Sequence, residues 1–150
     1  MLSFRENGSG AAGLVLRNSR GEAVAGYACP LDHVFDAAIA EALALQRGLQ
    51  FLEQLGVSSV IVESDSLGLV QACNSEIEVW SPFSAILDDC FMRTHSFNSI
   101  GFQHCPREAN KVAHHLAKVS FESNYVISWD GDPPGFIMPF VIHDVTILNA

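Results

Sequence analysis

The sequence predicts an α/β domain. Three observations carry that reading. An Asn-Ser-Arg-Gly turn at Asn18–Gly21 separates two apolar strand-like segments. A long stretch with helical spacing ends at Gly56 and leads into Ser-Val-Ile-Val-Glu-Ser. An alternating segment at 97–104 is followed by a last helical stretch. At 150 residues the chain suffices for one domain with a real core. It is 49% hydrophobic with a mean hydropathy of +0.22, which argues against global disorder.

The elements follow in order. Residues 12–17 form a short apolar strand, and 22–28 return as its hairpin partner. Residues 31–33 connect to a helix, with Asp36 as its N-cap. That helix runs over 37–55, with Ala38, Leu45, Leu49 and Leu52 recurring on its apolar side. Gly56 supplies the C-cap. Residues 59–64 read as a strand buried on both faces, because Val60, Ile61 and Val62 are consecutive. Ser66 caps a short helix over 67–73, and 74–81 form a loop. Pro82 opens a helix that reaches 94. Residues 97–104 alternate as a strand does, 105–107 turn, and 108–123 form the last strong helix. From residue 124 the character changes. Residues 129–135 are turn-rich and read as a linker, and 136–148 are apolar and β-prone. The expected organisation is one domain over 1–123, followed by a linker and apolar tail over 124–150. That tail would pack as an extra strand on the domain or on another chain, since exposed it would be an aggregation liability.

Composition excludes several classes. No apolar run spans a membrane, because Glu41, Gln46 and Arg47 interrupt the longest stretches. The start, Met-Leu-Ser-Phe-Arg-Glu, lacks a signal peptide's basic start and apolar core, so an intracellular protein, nuclear or cytoplasmic, is expected. Cys29, Cys73, Cys90 and Cys105 are scattered and lack the zinc spacing, so they read as reduced core or surface thiols. A net charge of −9 argues against a generic nucleic-acid binder held by long-range attraction. A local basic groove or a metal-bridged contact with phosphate remains compatible with it.

Chemistry concentrates in residues 40–66, Ala-Glu-Ala-Leu-Ala-Leu through Ser-Asp-Ser. Glu41 sits inside an apolar helix, and Asp65 ends an apolar strand. Desolvating an ionised carboxylate is costly, so such groups are normally paired or bound to a cation. Two of them on successive elements of an α/β unit suggest a divalent-metal site at the strand's carboxyl end. The competing readings are a helix-surface role for Glu41 and a helix-start role for Asp65. Glu63 reads as a strand-end surface residue. His104 reads as a packed or capping histidine, and Asn110 as a structural hydrogen-bonding residue near the last helix.

Three segments carry a family resemblance: Gly-Leu-Val-Leu-Arg-Asn-Ser-Arg-Gly-Glu-Ala-Val-Ala-Gly at 13–26, residues 40–66, and Phe-Gln-His-Cys-Pro-Arg-Glu-Ala-Asn-Lys-Val-Ala-His-His-Leu-Ala-Lys at 102–118. In this order they resemble the plant reverse-transcriptase-like, RNase H-type domain of the ribonuclease H-like superfamily. The resemblance implies a mixed five-stranded sheet flanked by helices. It also implies hydrolysis of the RNA strand of RNA–DNA hybrids by Mg²⁺, with Mn²⁺ as a substitute, and so a hydrolase with a nucleic-acid partner and no membrane. Two ions about 4 Å apart hold the attacking water and the leaving oxygen in such chemistry. Of the four carboxylates that the resemblance implies, Glu41 matches the helix position and Asp65 the fourth-strand position.

The other two positions depart from the pattern. If Phe4 matches, the first-strand Asp falls at Met1, so the first strand reads as truncated. The last-helix carboxylate falls at His114, whose imidazole suits transition metals better than Mg²⁺. The catalytic candidates are therefore Glu41, Asp65 and His114, with Glu41 and Asp65 as metal ligands. The nucleic-acid candidates are Arg17, Arg107 and Lys111, with Arg20 and Lys118 beside them. Residues 74–81 carry Glu76 and Glu78 in place of the basic insertion by which some relatives grip hybrids. Three functions stay open: a hybrid-specific endoribonuclease with an incomplete carboxylate set, a catalytically degenerate retroelement-derived nucleic-acid-binding domain, and a protein-interaction domain.

Overall fold

The computed structural model describes residues 2–5, 9–32, 34, 36–75 and 82–139. Its strands are β1 (Leu2–Arg5), β2 (Ser9–Arg17), β3 (Ala23–Asp32), β4 (Ser59–Ser64), β5 (Ser99–His104) and β6 (Ile127–Asp130). Its helices are α1 (Ala37–Gln54), α2 (Leu67–Ser75), α3 (Pro82–Thr94) and α4 (Lys111–Ser123), with a 3-10 turn at Arg107–Asn110. The strands form two ladders among the described residues. One is antiparallel in the order β1-β2-β3-β6, and the other is the parallel pair β4-β5.

Local chemistry explains most boundaries. Asn18 Oδ1 accepts the backbone N–H of Arg20 at 2.9 Å and of Glu22 at 3.0 Å, which closes the β2–β3 hairpin. Gly21 follows at φ 78°, a conformation glycine adopts without penalty. Asp36 caps α1 by accepting from Ala38 N at 2.7 Å and Ile39 N at 3.3 Å. Gly56 ends the same helix at φ 74°.

The core has three clusters among the described residues, one of them formed by Ala12, Cys29, Leu31, Val34 and Ala40. Leu45, Leu49 and Leu52 of α1 pack with Leu69, Leu87, Cys90 and Phe97, with Val60 and Val62 of β4 half-buried against them. On the other side α4 contributes Val112 and Leu116, which cluster with Ala23, Ala28 and Ile137. Gly13 lets α4 approach β2. A Cβ there would meet the Ala113 carbonyl and lie 2.8 Å from Ala117 N.

Several expectations need correction. β4 is not buried on both faces: no residue of it is fully buried, and Ile61 is 64% exposed. The burial alternates along the strand, with Val60 and Val62 half-buried against the α1 cluster and Ser59, Ile61 and Glu63 exposed, so one face is packed and the other is open. Residues 127–130 belong to β6, not to a linker, because the Trp129 ring packs over Gly26 where a Cβ would collide with it. The last helix starts at Lys111, after the 3-10 turn. Helix α2 runs on to Ser75, and β2 and β3 are longer than the hairpin pattern suggests. The first strand appears as the four-residue β1, paired with β2. The apolar segment 136–148 lies outside the described residues beyond 139. All four cysteines are free thiols. Among the described residues, no helix is long and apolar enough to cross a membrane.

Candidate nucleic-acid interface

Glu41 lies in the second turn of α1, half-buried between the buried Ala40 and Ala42. Its Oε2 accepts a 2.6 Å hydrogen bond from Ser66 Oγ. That hydroxyl also accepts Leu69 N at 3.2 Å, capping α2. One side chain thus ties the α1 carboxylate to the first turn of α2, whose dipole favours a negative charge.

Asp65 follows β4 and is half-buried in the turn before Ser66. Cys105 N donates to the Ser64 carbonyl at 3.0 Å, extending the ladder beneath it. The buried Cys105 thiol is pushed up, first by desolvation and then by the negative charges of Glu63 and Asp65. A raised pKa keeps the thiol protonated, which disfavours it as a nucleophile.

His114 is half-buried on α4, and its Nδ1 is buried with no hydrogen-bond partner among the described residues. Burial lowers its pKa, Arg107 adds to that, and Asp65 opposes it. Asp65 and His114 are therefore within electrostatic reach of each other. His115 is also held low, first by burial and then by Lys118.

Next to His114 lies a groove of about 400 Å³, lined by Arg107, Glu108, Lys111, His114, His115 and Lys118. Arg107, Lys111, His114 and Lys118 recur at steps of four, three and four along the 3-10 turn and α4. That spacing places cationic groups on one face. A strongly acidic chain thus carries a local basic track, a feature that overall charge conceals.

The magnesium centre implied by the sequence is not matched by these residues. Among the described residues, no group of three or more His, Cys, Asp or Glu side chains is gathered to hold a metal ion. One oxygen of Glu41 is already engaged by Ser66. The set comes to two carboxylates and an imidazole, whereas Mg²⁺ prefers near-octahedral oxygen ligation. Met1 lies outside the described residues.

The remaining candidates divide. Arg107 and Lys111 line the groove. Arg17 does not; its Nη1 donates to the Gly21 carbonyl at 3.0 Å, at the hairpin end of β2. Glu63 accepts from Gln103 Nε2 at 2.7 Å on the exposed side of β4-β5. His104 is exposed at the end of β5. Asn110 stands at the N-cap position of α4, but its side chain makes no cap bond. It leaves the 3-10 turn with its Nδ2 buried instead. The role of Ser66 as the link to Glu41 was not visible in the sequence beyond its capping position.

A family model described as reverse transcriptase-like matches residues 3–120. The chain belongs to the reverse transcriptase-like family. Its fold is that of ribonuclease H. RNase H1 from the halophilic archaeon Halobacterium salinarum NRC-1 superimposes with a TM-score of 0.75 at 22% identity, over 81% of this chain and 93% of that one. The N-terminal RNase H domain of a Mycobacterium tuberculosis protein gives 0.73 at 22% identity, over 82% and 90%. The compost metagenome enzyme LC11-RNase H1, solved in complex with an RNA/DNA hybrid, gives 0.69 at 22% identity, over 81% and 93%. No curated protein matches the sequence significantly. At this identity the superpositions speak for the fold of this reverse transcriptase-like domain.

Proposed function

We propose that this RNase H-type domain binds RNA–DNA hybrids, and that its hydrolytic centre is reduced to Glu41, Asp65 and His114. The observation that carries the reading is the position of His114. It lines the basic track and lies within electrostatic reach of Asp65. A backbone held by Arg107, Lys111 and Lys118 would therefore run past the carboxylates. Hybrids suit such a track because they are recognised through phosphates, 2′-hydroxyls and A-like shape. The solved hybrid complex of LC11-RNase H1, which shares the fold, supports the same partner class.

The test is hybrid affinity across a salt series, with duplex DNA as the competitor. Lys118→Ala should weaken hybrid binding and lower the salt slope by about one. Unchanged affinity and slope would refute the track.

A second reading, divalent-metal hydrolysis, rests on the Ser66 bond that holds Glu41 against the residue following Asp65. It is checked on the same hybrid in Mg²⁺ and in Mn²⁺, with Glu41→Gln alongside. Cleavage that disappears in the variant supports this reading. Binding without cleavage in either ion assigns the domain to recognition alone.

A further inference from the structure

We propose that Glu108 selects the RNA strand: its carboxylate accepts a hydrogen bond from a ribose 2′-hydroxyl and so sets an RNA–DNA hybrid apart from duplex DNA. This rests on the hybrid-binding reading and adds to it the residue that reads the sugar.

Among the described residues, the groove formed by Arg107, Lys111, His114, His115 and Lys118 is lined by a single carboxylate, Glu108. Glu108 is exposed, in the 3-10 turn Arg107–Asn110. That turn is anchored beside the site. Cys105 N donates to the Ser64 carbonyl at 3.0 Å, just before Asp65, and Ala109 N donates to the Pro106 carbonyl at 3.0 Å. Glu108, Lys111, His115 and Lys118 recur at steps of three, four and three, so the carboxylate stands at one end of a cationic row. Several other carboxylates of the chain are taken up by its own side chains. Glu41 accepts from Ser66, Glu53 from Arg93, and Asp89 from Gln46 and Arg93. No hydrogen bond or ion pair engages the Glu108 side chain among the described residues, although cations line the same groove.

The chemistry of the backbone selects what such a carboxylate can bind. A sugar–phosphate strand alternates charged phosphates with neutral sugars. Arg and Lys answer the phosphates and carry no information about the sugar. An ionised carboxylate in the same row repels a phosphate and offers only acceptor oxygens. Along the backbone the available donor is the 2′-hydroxyl, which RNA has and DNA lacks. A hydroxyl bonded to a carboxylate makes a charge-assisted bond, stronger than its neutral counterpart. Against DNA, then, Glu108 only repels. Against an RNA strand the same repulsion is offset by a bond. Selectivity arises as much from penalising the wrong partner as from holding the right one.

Affinities of the full chain for a hybrid and for duplex DNA of the same sequence test this, read by fluorescence anisotropy at one salt concentration. Circular dichroism checks that each variant is folded. Glu108→Ala should cut the hybrid-over-DNA preference at least about fivefold. Glu108→Gln loses the charge but keeps an acceptor oxygen, and should retain more of the preference than Glu108→Ala. A hybrid whose RNA strand carries 2′-fluoro groups keeps its A-like shape without the donor. Wild-type affinity for it should fall about fivefold, and that of Glu108→Ala should not. A preference unchanged in Glu108→Ala overturns the inference while hybrid binding stands. So does equal tightening of both duplexes in both variants, which assigns Glu108 to charge alone. A wild-type chain that binds neither duplex refutes the hybrid-binding reading itself, and the inference with it.

Discussion

Ser66 Oγ donates to Glu41 Oε2 at 2.6 Å while it accepts the Leu69 amide, so one hydroxyl joins α1 to the start of α2. The bond fixes the Glu41 carboxylate by a hydroxyl at the start of the second element after α1. It also means that Glu41 has a partner without any metal.

Ser66→Ala should therefore act twice. Loss of the cap costs about 1 kcal/mol. The half-buried Glu41 carboxylate then loses its donor, which raises the total to about 2 kcal/mol. Denaturant unfolding of the variant against Glu41→Gln separates the two parts. Glu41→Gln keeps an amide oxygen to accept from Ser66 and should cost less.

Gly13→Ala should be among the most damaging single-methyl changes. The added Cβ would press on the Ala113 carbonyl and on Ala117 N at 2.8 Å, both backbone atoms of α4. Backbone cannot rotate away as a flexible side chain can, so β2 and α4 must separate. A loss of about 2–3 kcal/mol is expected, at the upper end of overpacking effects. Thermal unfolding with far-UV circular dichroism checks it.

Ile137→Ala should cost about 3 kcal/mol, since Ile137 is 0% exposed and lies in the core cluster with Val112 and Leu116. Met138→Ala, 38% exposed, should change stability little. Equal effects in urea unfolding would mean that this segment is not part of the core.

Stability should fall with acid. The pKa of His114 and His115 lies below the ordinary value of 6.5, in each case chiefly through burial. The unfolded chain then binds protons that the folded chain does not. The contribution is full above pH 6.5 and fades as pH falls below it through the depressed folded values. His114→Gln should flatten the decline of Tm between pH 7 and 5. An unchanged slope would count against the buried, neutral state of His114.

How much of this was legible in the sequence depends on how local each cause is. The bounds of α1 rest on Asp36 and Gly56, and β4 and α3 match their expected spans, because caps, glycine and proline act within a turn. The exposure of β4 was not legible: its apolar run describes what the strand prefers, whereas burial depends on what packs against each face, and only the face of Val60 and Val62 meets the α1 cluster. β6 was hidden by the turn-rich Asp130–Pro134 composition, and its formation rests on Gly26, about a hundred residues earlier, leaving room for Trp129. Glu41 and Asp65 stood out as carboxylates in apolar settings. The Ser66 link did not, since it arises from packing between elements distant in sequence.

The ring of Trp129 against Gly26 has a spectroscopic consequence. Its Nε1 is buried and has no hydrogen-bond partner among the described residues, so the pyrrole edge of a half-buried indole is shielded from water. Trp80 is the chain's other tryptophan. In a Trp80→Phe background, emission would come from β6 alone. A red shift that precedes the loss of helical signal would report that the sheet frays at this margin before the rest of the molecule melts.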